Sequence, residues 1–457
     1  MPDYYAEPFL NLAGLTHKSA LIAWGAFYFR VRNNETDFKL VDDDDLDHVH
    51  PPRHQTVGAR SEPFGKATVE VMNSQGDVVA TAFTETTNHC WVTGLAADTE
   101  YTYRVIVNGE EWAGGDRRNW ERLGNKMGLG PKRKPYRNRF RTHPDPTQPS
   151  NTPFTFAVIG DFGVGIKEEG VREQRQIAEA LEKAVDQHNV RLLLTTGDNI
   201  YRNGDEDDDW YFTYYQPYRY LINRVPVYPT IGNHDAGETE SRDDRNQLID
   251  NFYIDERIAG EEAAGRASVD PGLFYRFRYH ANIEFICIDT SMEPQVFNKR
   301  LFNHDKHKEF FKTALPVANG APAMWRIPFC HHPPFSAGPD HHNTEGMDEL
   351  IQRFQSAGVK VVFSGHQHNL QLNRVNGIDY LISGAAGKVT TQTPDKFEAA
   401  GTVFWSPTCH FLLVTVEGKR MTVRAIGKLN GAGELVDIPR KARNGNVISE
   451  PIVVDLP

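Results

Sequence analysis

Five short polar signatures, each following an apolar run, occur in one order along the chain. They are Gly160-Asp161-Phe162-Gly163, Gly197-Asp198-Asn199-Ile200-Tyr201, Gly232-Asn233-His234-Asp235, Cys330-His331-His332-Pro333-Pro334 and Gly365-His366-Gln367-His368. Short apolar runs over 154–159 and 191–195 read as buried strands, and the helical periodicity of 173–185 separates them. Further strands are expected at 283–288, 325–329, 359–363 and 380–382. Strands alternating with helical stretches imply α/β layering, and open α/β sheets place their sites beyond the strand C-termini. A single Gly-Asp after a strand is commonly only a turn, and a single histidine is commonly structural. Five such signatures in series point to one shared site.

The residue types suit a pair of cations. Two ions held ~4 Å apart need a shared anionic bridge and terminal ligands on each. A carboxylate can bridge with its two oxygens, while imidazole and amide oxygen complete each shell. The glycines allow sharp turns that bring short side chains inward from neighbouring loops.

Upstream the grammar differs. Residues 1–145 are β-rich, with a strand-like run over 19–30 and a hairpin signal at Asn73-Ser74-Gln75-Gly76. Leu95 followed by Thr99-Glu100-Tyr101-Thr102-Tyr103 resembles the corner of a fibronectin type III sandwich, where a tyrosine hydroxyl ties a strand start to the backbone. Two stretches interrupt this region. Asp42–Asp45 with His48, His50 and His54 is an acidic, histidine-bearing loop, and 117–141 is basic with Trp120 and Tyr136 interleaved. Residues 143–153, rich in Pro, Thr and Asn, read as a linker. With 457 residues, two domains are expected: a β-sandwich over 1–145 and an α/β domain over 146–457.

Composition narrows the partners. A net charge of −11 disfavours a general nucleic-acid binder, because phosphate backbones attract basic surfaces. It leaves room for a small phosphorylated ligand, since bound cations dominate their local field. No run has the apolar length needed to span a bilayer. The start of the chain lacks a basic segment followed by an apolar one, which favours the cytoplasm unless a signal has been removed. Cys90, Cys287, Cys330 and Cys409 lack metal-ribbon spacing and read as free thiols.

The ordered signatures of 154–425 resemble the calcineurin-like metallophosphoesterase superfamily, whose fold implies a four-layer α-β-β-α sandwich. Within it the chain is most similar to the purple acid phosphatases, on three grounds. Gly163 stands where most of the superfamily has the histidine of Asp-x-His. Tyr201 follows Asp198 by three residues, as in the Gly-Asp-x-x-Tyr motif whose phenolate binds ferric iron. Pro339-Asp340-His341-His342-Asn343-Thr344-Glu345-Gly346 resembles the plant-type segment whose His-His and Glu-Gly line a phosphate pocket. Two features depart from that pattern: the continuation Asn369-Leu370-Gln371, and the acidic stretch Gly204-Asp205-Glu206-Asp207-Asp208-Asp209-Trp210.

The resemblance implies a division of labour. Asp161, Tyr201 and His368 would bind a first ion, Fe(III), and Asn233, His331 and His366 a second, which is Fe, Zn or Mn. Asp198 would bridge the two. His331, first after its strand, is the expected ligand of the adjacent pair, with contact to substrate only the lesser alternative for His332. His234 would contact phosphoryl oxygens, and His341 and His342 would orient the ester, with a metal-bound hydroxide as nucleophile. The expected activity is phosphomonoester hydrolysis on a small phosphate ester, with self-association left open. A diesterase on the same fold and a non-catalytic phospho-ligand binder are the alternatives.

Overall fold

The computed structural model describes residues 3–32, 37–40, 66–113, 134–165, 170–201, 210–236, 242–261, 273–291, 305–319 and 324–457. The histidine-bearing acidic loop 42–54, residues 117–133 of the basic stretch and the acidic residues 205–209 lie outside this set.

The chain forms two compact units. The first comprises Met1–Pro144, Gly204–Val227 and Asn246–Gly260. It holds two antiparallel sheets. One runs β1 (Asp3–Leu15), β2 (Ser19–Arg32), β3 (Asp37–Leu40), with β6 (His89–Thr93) on the other side of β2. The second runs β5 (Val78–Thr84), β4 (Ala67–Met72), β7 (Glu100–Val107), β8 (Glu110–Glu111), and β9 (Arg139–Arg141) also pairs with β7. Alternation drives the packing: in β7 Tyr101, Tyr103, Val105 and Val107 are buried while Glu100, Thr102 and Arg104 are exposed. The inward residues meet Leu10, Leu12, Ile22, Trp24, Val69 and Val71 in one core, which makes this unit a β-sandwich.

The Tyr101 hydroxyl ties the start of its strand to the backbone. The Ala96 N–H donates to the Tyr101 hydroxyl at 3.0 Å, fixing the entry of β7. Tyr101→Phe is expected to cost about 1 kcal/mol, read as a fall of a few degrees in melting temperature with no change in metal content. The aromatic run from Trp210 also belongs to this unit. Tyr211 and Tyr215 pack on Phe27 at 5.0 and 4.9 Å between ring centroids. Arg219 pairs with buried Glu7 at 2.9 Å.

The second unit comprises Asp145–Asn203, Tyr228–Arg245 and Glu261–Pro457. Its first sheet has the order β12 (Val227–Tyr228), β11 (Val190–Thr195), β10 (Phe154–Ile159), β20 (Phe411–Glu417), β21 (Arg420–Leu429), β22 (Leu435–Asp437), with β25 (Ile452–Asp455) on β21. The second sheet begins β13 (Tyr275–His280), β14 (Ile283–Ile288), β15 (Trp325–Cys330), β16 (Val361–Ser364), β18 (Ile378–Ser383). It continues through β17 (Leu370–Val375), β19 (Thr402–Ser406), β23 (Arg440–Ala442) and β24 (Val447–Ile448).

Every residue of β10, β11, β14, β16 and β18 is buried. Such uninterrupted burial belongs to strands covered on both faces. Between the sheets, Phe156 of β10 meets Phe285 of β14 and Phe363 of β16 edge-on, at 5.1 and 6.0 Å. Outside them, helix α1 (Val171–His188) covers the first sheet through Ile177, Leu181 and Ala184. Helices α2 (Asp305–Ala314) and α3 (Asp348–Ser356) cover the second through Phe311, Leu350 and Phe354. The result is the four-layer α-β-β-α sandwich, and it fixes where a site can form. The parallel neighbours β10 and β11 end at one edge, and the parallel neighbours β15 and β16 end there too.

Candidate metal centre

Each pair of parallel strands delivers two polar loops. Asp161 follows β10, Asp198 and Tyr201 follow β11, His331 follows β15, and His366 and His368 follow β16. Asn233 and His234 lie on the loop after β12. Asp161, Asp198 and His366 all adopt left-handed backbone conformations, with φ of 54°, 49° and 68°. Non-glycine residues accept that strain where the surroundings over-determine them, and such positions gather at functional sites.

The loops approach too closely to admit side chains at their glycines. A Cβ on Gly163 would lie 2.2 Å from the Asn199 carbonyl oxygen. No histidine can therefore occupy that position on this backbone, a physical reason for the absent Asp-x-His ligand. Gly163→Ala is expected to cost about 2–3 kcal/mol and to impair metal retention, checked by thermal denaturation and elemental analysis.

Two clusters result. In the first, the Tyr201 hydroxyl lies 3.1 Å from His368 Nε2 and 3.5 Å from Asp161 Oδ1. His368 Nε2 is 3.4 Å from the same carboxylate oxygen. In the second, Asn233 Oδ1 lies 2.9 Å from His331 Nε2 and 3.1 Å from His366 Nδ1, and the two nitrogens are 3.2 Å apart. Asp198 joins them: its Oδ1 is 3.4 Å from His331 Nε2, and its ligating oxygen also groups with Asp161 and His368.

The donor chemistry fits metal ions. His331 Nδ1 sits 2.8 Å from the Thr196 carbonyl oxygen, so Nδ1 carries the proton and Nε2 presents a lone pair. That lone pair faces the Asn233 oxygen, acceptor against acceptor, unless a cation lies between them. The buried Asp198 Oδ2 has no hydrogen-bond partner among the described residues, an arrangement that is costly for a carboxylate left to itself. Electrostatics agree. Burial and neighbouring Asp198 push Asp161 well above the usual carboxylate range against the pull of His331. Burial, with Asp161 and Asp198, pushes the Tyr201 phenol well above its ordinary value. Burial and the surrounding imidazoles hold His366 well below the usual histidine range. A cation reverses the first two effects and takes the neutral imidazole as ligand.

The remaining expected residues divide. His234 donates its backbone N–H to Asp198 Oδ1 at 3.1 Å and sets its ring 4.8 Å from that of Tyr201. His341 lies over His366, with ring centroids 3.7 Å apart. His342 does not join: its Nε2 pairs with Asp395 at 2.8 Å on the exposed side of the loop. The adjacent position in the chain turns its side chain the other way, which the His-His resemblance could not reveal. His332, given a lesser part in the sequence reading, groups with His331 and His366, its ring centroid 4.3 Å from that of His366 with the planes tilted by 49°.

Asp235 was overlooked as a contributor although it stands in its signature. It accepts from Gly232 N and Asn199 Nδ2 through Oδ2, at 2.7 and 2.8 Å, and from Ile200 N through Oδ1, at 3.1 Å. These bonds lash the Asn233 loop to the Asp198 loop. Lys388 was also missed. Its backbone N–H donates to the Asp161 carbonyl at 3.0 Å, and its ammonium lies 5.1 Å from the Tyr201 ring centroid.

Residues 154–370 match the family profile described as "Calcineurin-like phosphoesterase". The chain is 26% identical over 285 residues to purple acid phosphatase 4 of Arabidopsis thaliana, covering 55% of this chain and 76% of that one. It is 36% identical over 89 residues to the serine/threonine-protein phosphatase CPPED1 of Danio rerio, covering 18% and 29% respectively. Among solved structures, the purple acid phosphatase PPD1 from yellow lupin (Lupinus luteus) superposes with a TM-score of 0.62 at 15% identity, covering 94% of this chain and 73% of the other. A structure of PhoD gives 0.61 at 12%, covering 97% and 91%. At those identities the two structures speak for the fold alone.

Proposed function

We propose that this chain, a phosphoric ester hydrolase whose residues 154–370 form a calcineurin-like metallophosphoesterase domain, is a phosphomonoesterase of purple acid phosphatase type. The observation that carries the reading is Asp198, a buried carboxylate set between two donor clusters, with one oxygen unpartnered among the described residues. Asp161, Tyr201 and His368 would hold the first ion, Asn233, His331 and His366 the second, and Asp198 both. The first ion is taken as Fe(III), because a buried phenol with a raised pKa ionises only against a strongly Lewis-acidic partner. The second is Fe, Zn or Mn. Bound together, such ions polarise a phosphoryl oxygen and lower the pKa of water by several units.

The protein's own residues do the positioning. His331 is locked in one tautomer by Thr196, and Asn233 is carried on the loop that Asp235 ties down. His234, anchored through its backbone to Asp198, faces the phosphoryl oxygens and stabilises charge that develops on them. His341, lying over His366, orients the ester; burial and neighbouring His368 push it down to about 4, so it hands a proton to the leaving oxygen only at acid pH. His342 is assigned the outer rim, where Asp395 holds it. The substrate is a small phosphate monoester. The N-terminal sandwich, with its tyrosine corner, is read as a structural module of fibronectin type III type.

The visible spectrum and elemental content of the purified protein test this. A charge-transfer band in the visible with bound iron is expected, abolished by Tyr201→Phe. A colourless, active protein holding two zinc or manganese ions would reject the ferric site. Faster turnover of aryl diesters than of aryl monoesters would reject the monoesterase reading.

A further inference from the structure

Four amide side chains recur at every second position after the second ligand histidine pair begins: Gln367, Asn369, Gln371 and Asn373. All four are fully buried. Buried amides are costly unless their hydrogen bonds are met, and here, Gln367 Nε2 apart, which has no partner among the described residues, the partners converge on one loop, residues 335–341. Asn373 Nδ2 donates to the Phe335 carbonyl at 2.8 Å. Gln371 takes the Ala337 N–H on Oε1 at 2.9 Å and gives Nε2 to the Gly338 carbonyl at 3.0 Å. Asn369 Nδ2 reaches the same carbonyl at 3.3 Å, and Gln367 Oε1 accepts the His341 N–H at 2.7 Å. The rungs brace one another: Gln371 Nε2 also lies 3.0 Å from Asn369 Oδ1, and Thr402 Oγ1 donates to Asn373 Oδ1 at 2.7 Å.

The loop so held leads to His341, whose ring sits 3.7 Å from that of His366 and 6.0 Å from that of His368. Stacking fixes the plane of the ring, but the backbone bond to Gln367 and the two bonds to Gln371 fix where it starts. We propose that the buried amide ladder 367–373 is the positioning device that sets the His341 imidazole at the metal centre. Its members are positioning residues that act through His341. The proposal rests on the reading above, in which His341 faces the ester. It also accounts for the Asn369-Leu370-Gln371 continuation, whose amides grip the loop.

A double-mutant cycle on the full chain tests it, with an aryl phosphate as probe. Gln371→Met keeps the side-chain length and removes both bonds to the loop. It is expected to lower kcat about 10- to 100-fold with metal content unchanged. In the His341→Ala background the same change should lower kcat less than about twofold. A second readout uses metal-free protein without substrate. The His341 ring-proton resonance, identified by its loss in His341→Ala and displaced by stacking on His366, should move towards the position of a free histidine in Gln371→Met. Additive losses in the cycle, or a resonance that stays in place, overturn the proposal. If Gln371→Met does not fold, Asn373→Leu, which frees the Phe335 carbonyl, goes through the same two measurements. A wild-type protein inactive on every ester would sink the esterase reading, and the resonance alone would then decide the ladder.

Discussion

Asp198→Asn is expected to lower kcat/KM on an aryl phosphate by at least about 10³-fold, with the fold intact by circular dichroism. The magnitude follows from position. Asp198 is 1% exposed and stands between the two donor clusters, so in the proposed site its charge would serve both ions at once. Asparagine keeps the volume and the contact with His234 N but removes the negative charge and one acceptor oxygen. Losing several kcal/mol of cation stabilisation corresponds, at about 1.4 kcal/mol per decade, to three orders of magnitude or more. Asp235→Asn provides the contrast. It weakens the acceptor of three bonds that align two loops, and losses of about 10- to 100-fold are typical where an outer partner of a ligand is changed. Equal losses in the two variants would contradict the shared-ligand role of Asp198.

Chelation should lower the melting temperature by roughly 5–10 °C, reversibly on adding metal back. An ion at ~1,000 times its dissociation constant contributes about 4 kcal/mol to the folded state, and each kcal/mol moves a domain of this size by a few degrees. The metal-free protein has a further signature. Asp161 is pushed well above the carboxylate range by burial and Asp198, and Asp235 is raised to about 7 by burial and Asp198. Both groups bind protons more tightly folded than unfolded. Their contribution is therefore full below the unfolded pKa and is lost as pH rises through the folded one. Asp198, held low by His331 against its burial, loses its contribution only as pH falls below about 4. Metal-free protein is thus expected to lose stability from about pH 4 to about 7, a slope that bound cations remove. Asp161→Asn should raise the melting temperature of the metal-free protein at pH 7 and lower that of the loaded protein. A melting temperature indifferent to chelation would count against a metal-dependent site.

The layers, and the polar residues that the strand ends bring together, were legible because both depend on short-range pattern. Unbroken apolar runs such as 154–159 can only be covered strands, and the polar residues that follow them must gather at the sheet ends. What escaped depends on direction and on distant partners. His341 and His342 are adjacent, yet one stacks on His366 and the other pairs with Asp395. Neither partner lies within twenty residues of the pair. Asn369 and Gln371 stood out only as a departure from the plant-type pattern, because their target, a loop thirty residues upstream, is joined only by folding. Tyr215 and Tyr211 pack against Phe9 and Phe27, partners on β1 and β2 so much earlier in the chain that spacing does not reveal them. Asp235 was within reach: a carboxylate two residues after Asn233, the proposed ligand, is well placed to brace its turn.

The most direct test of the shared-carboxylate site is a crystal structure of the metal-loaded protein with anomalous scattering. The account predicts two peaks about 3.5–4 Å apart. One should be bound by Asp161, Tyr201 and His368, the other by Asn233, His331 and His366, with Asp198 on both. A single peak, or a second ion held by His332 in place of Asn233 with Asp198 on one ion only, would contradict it.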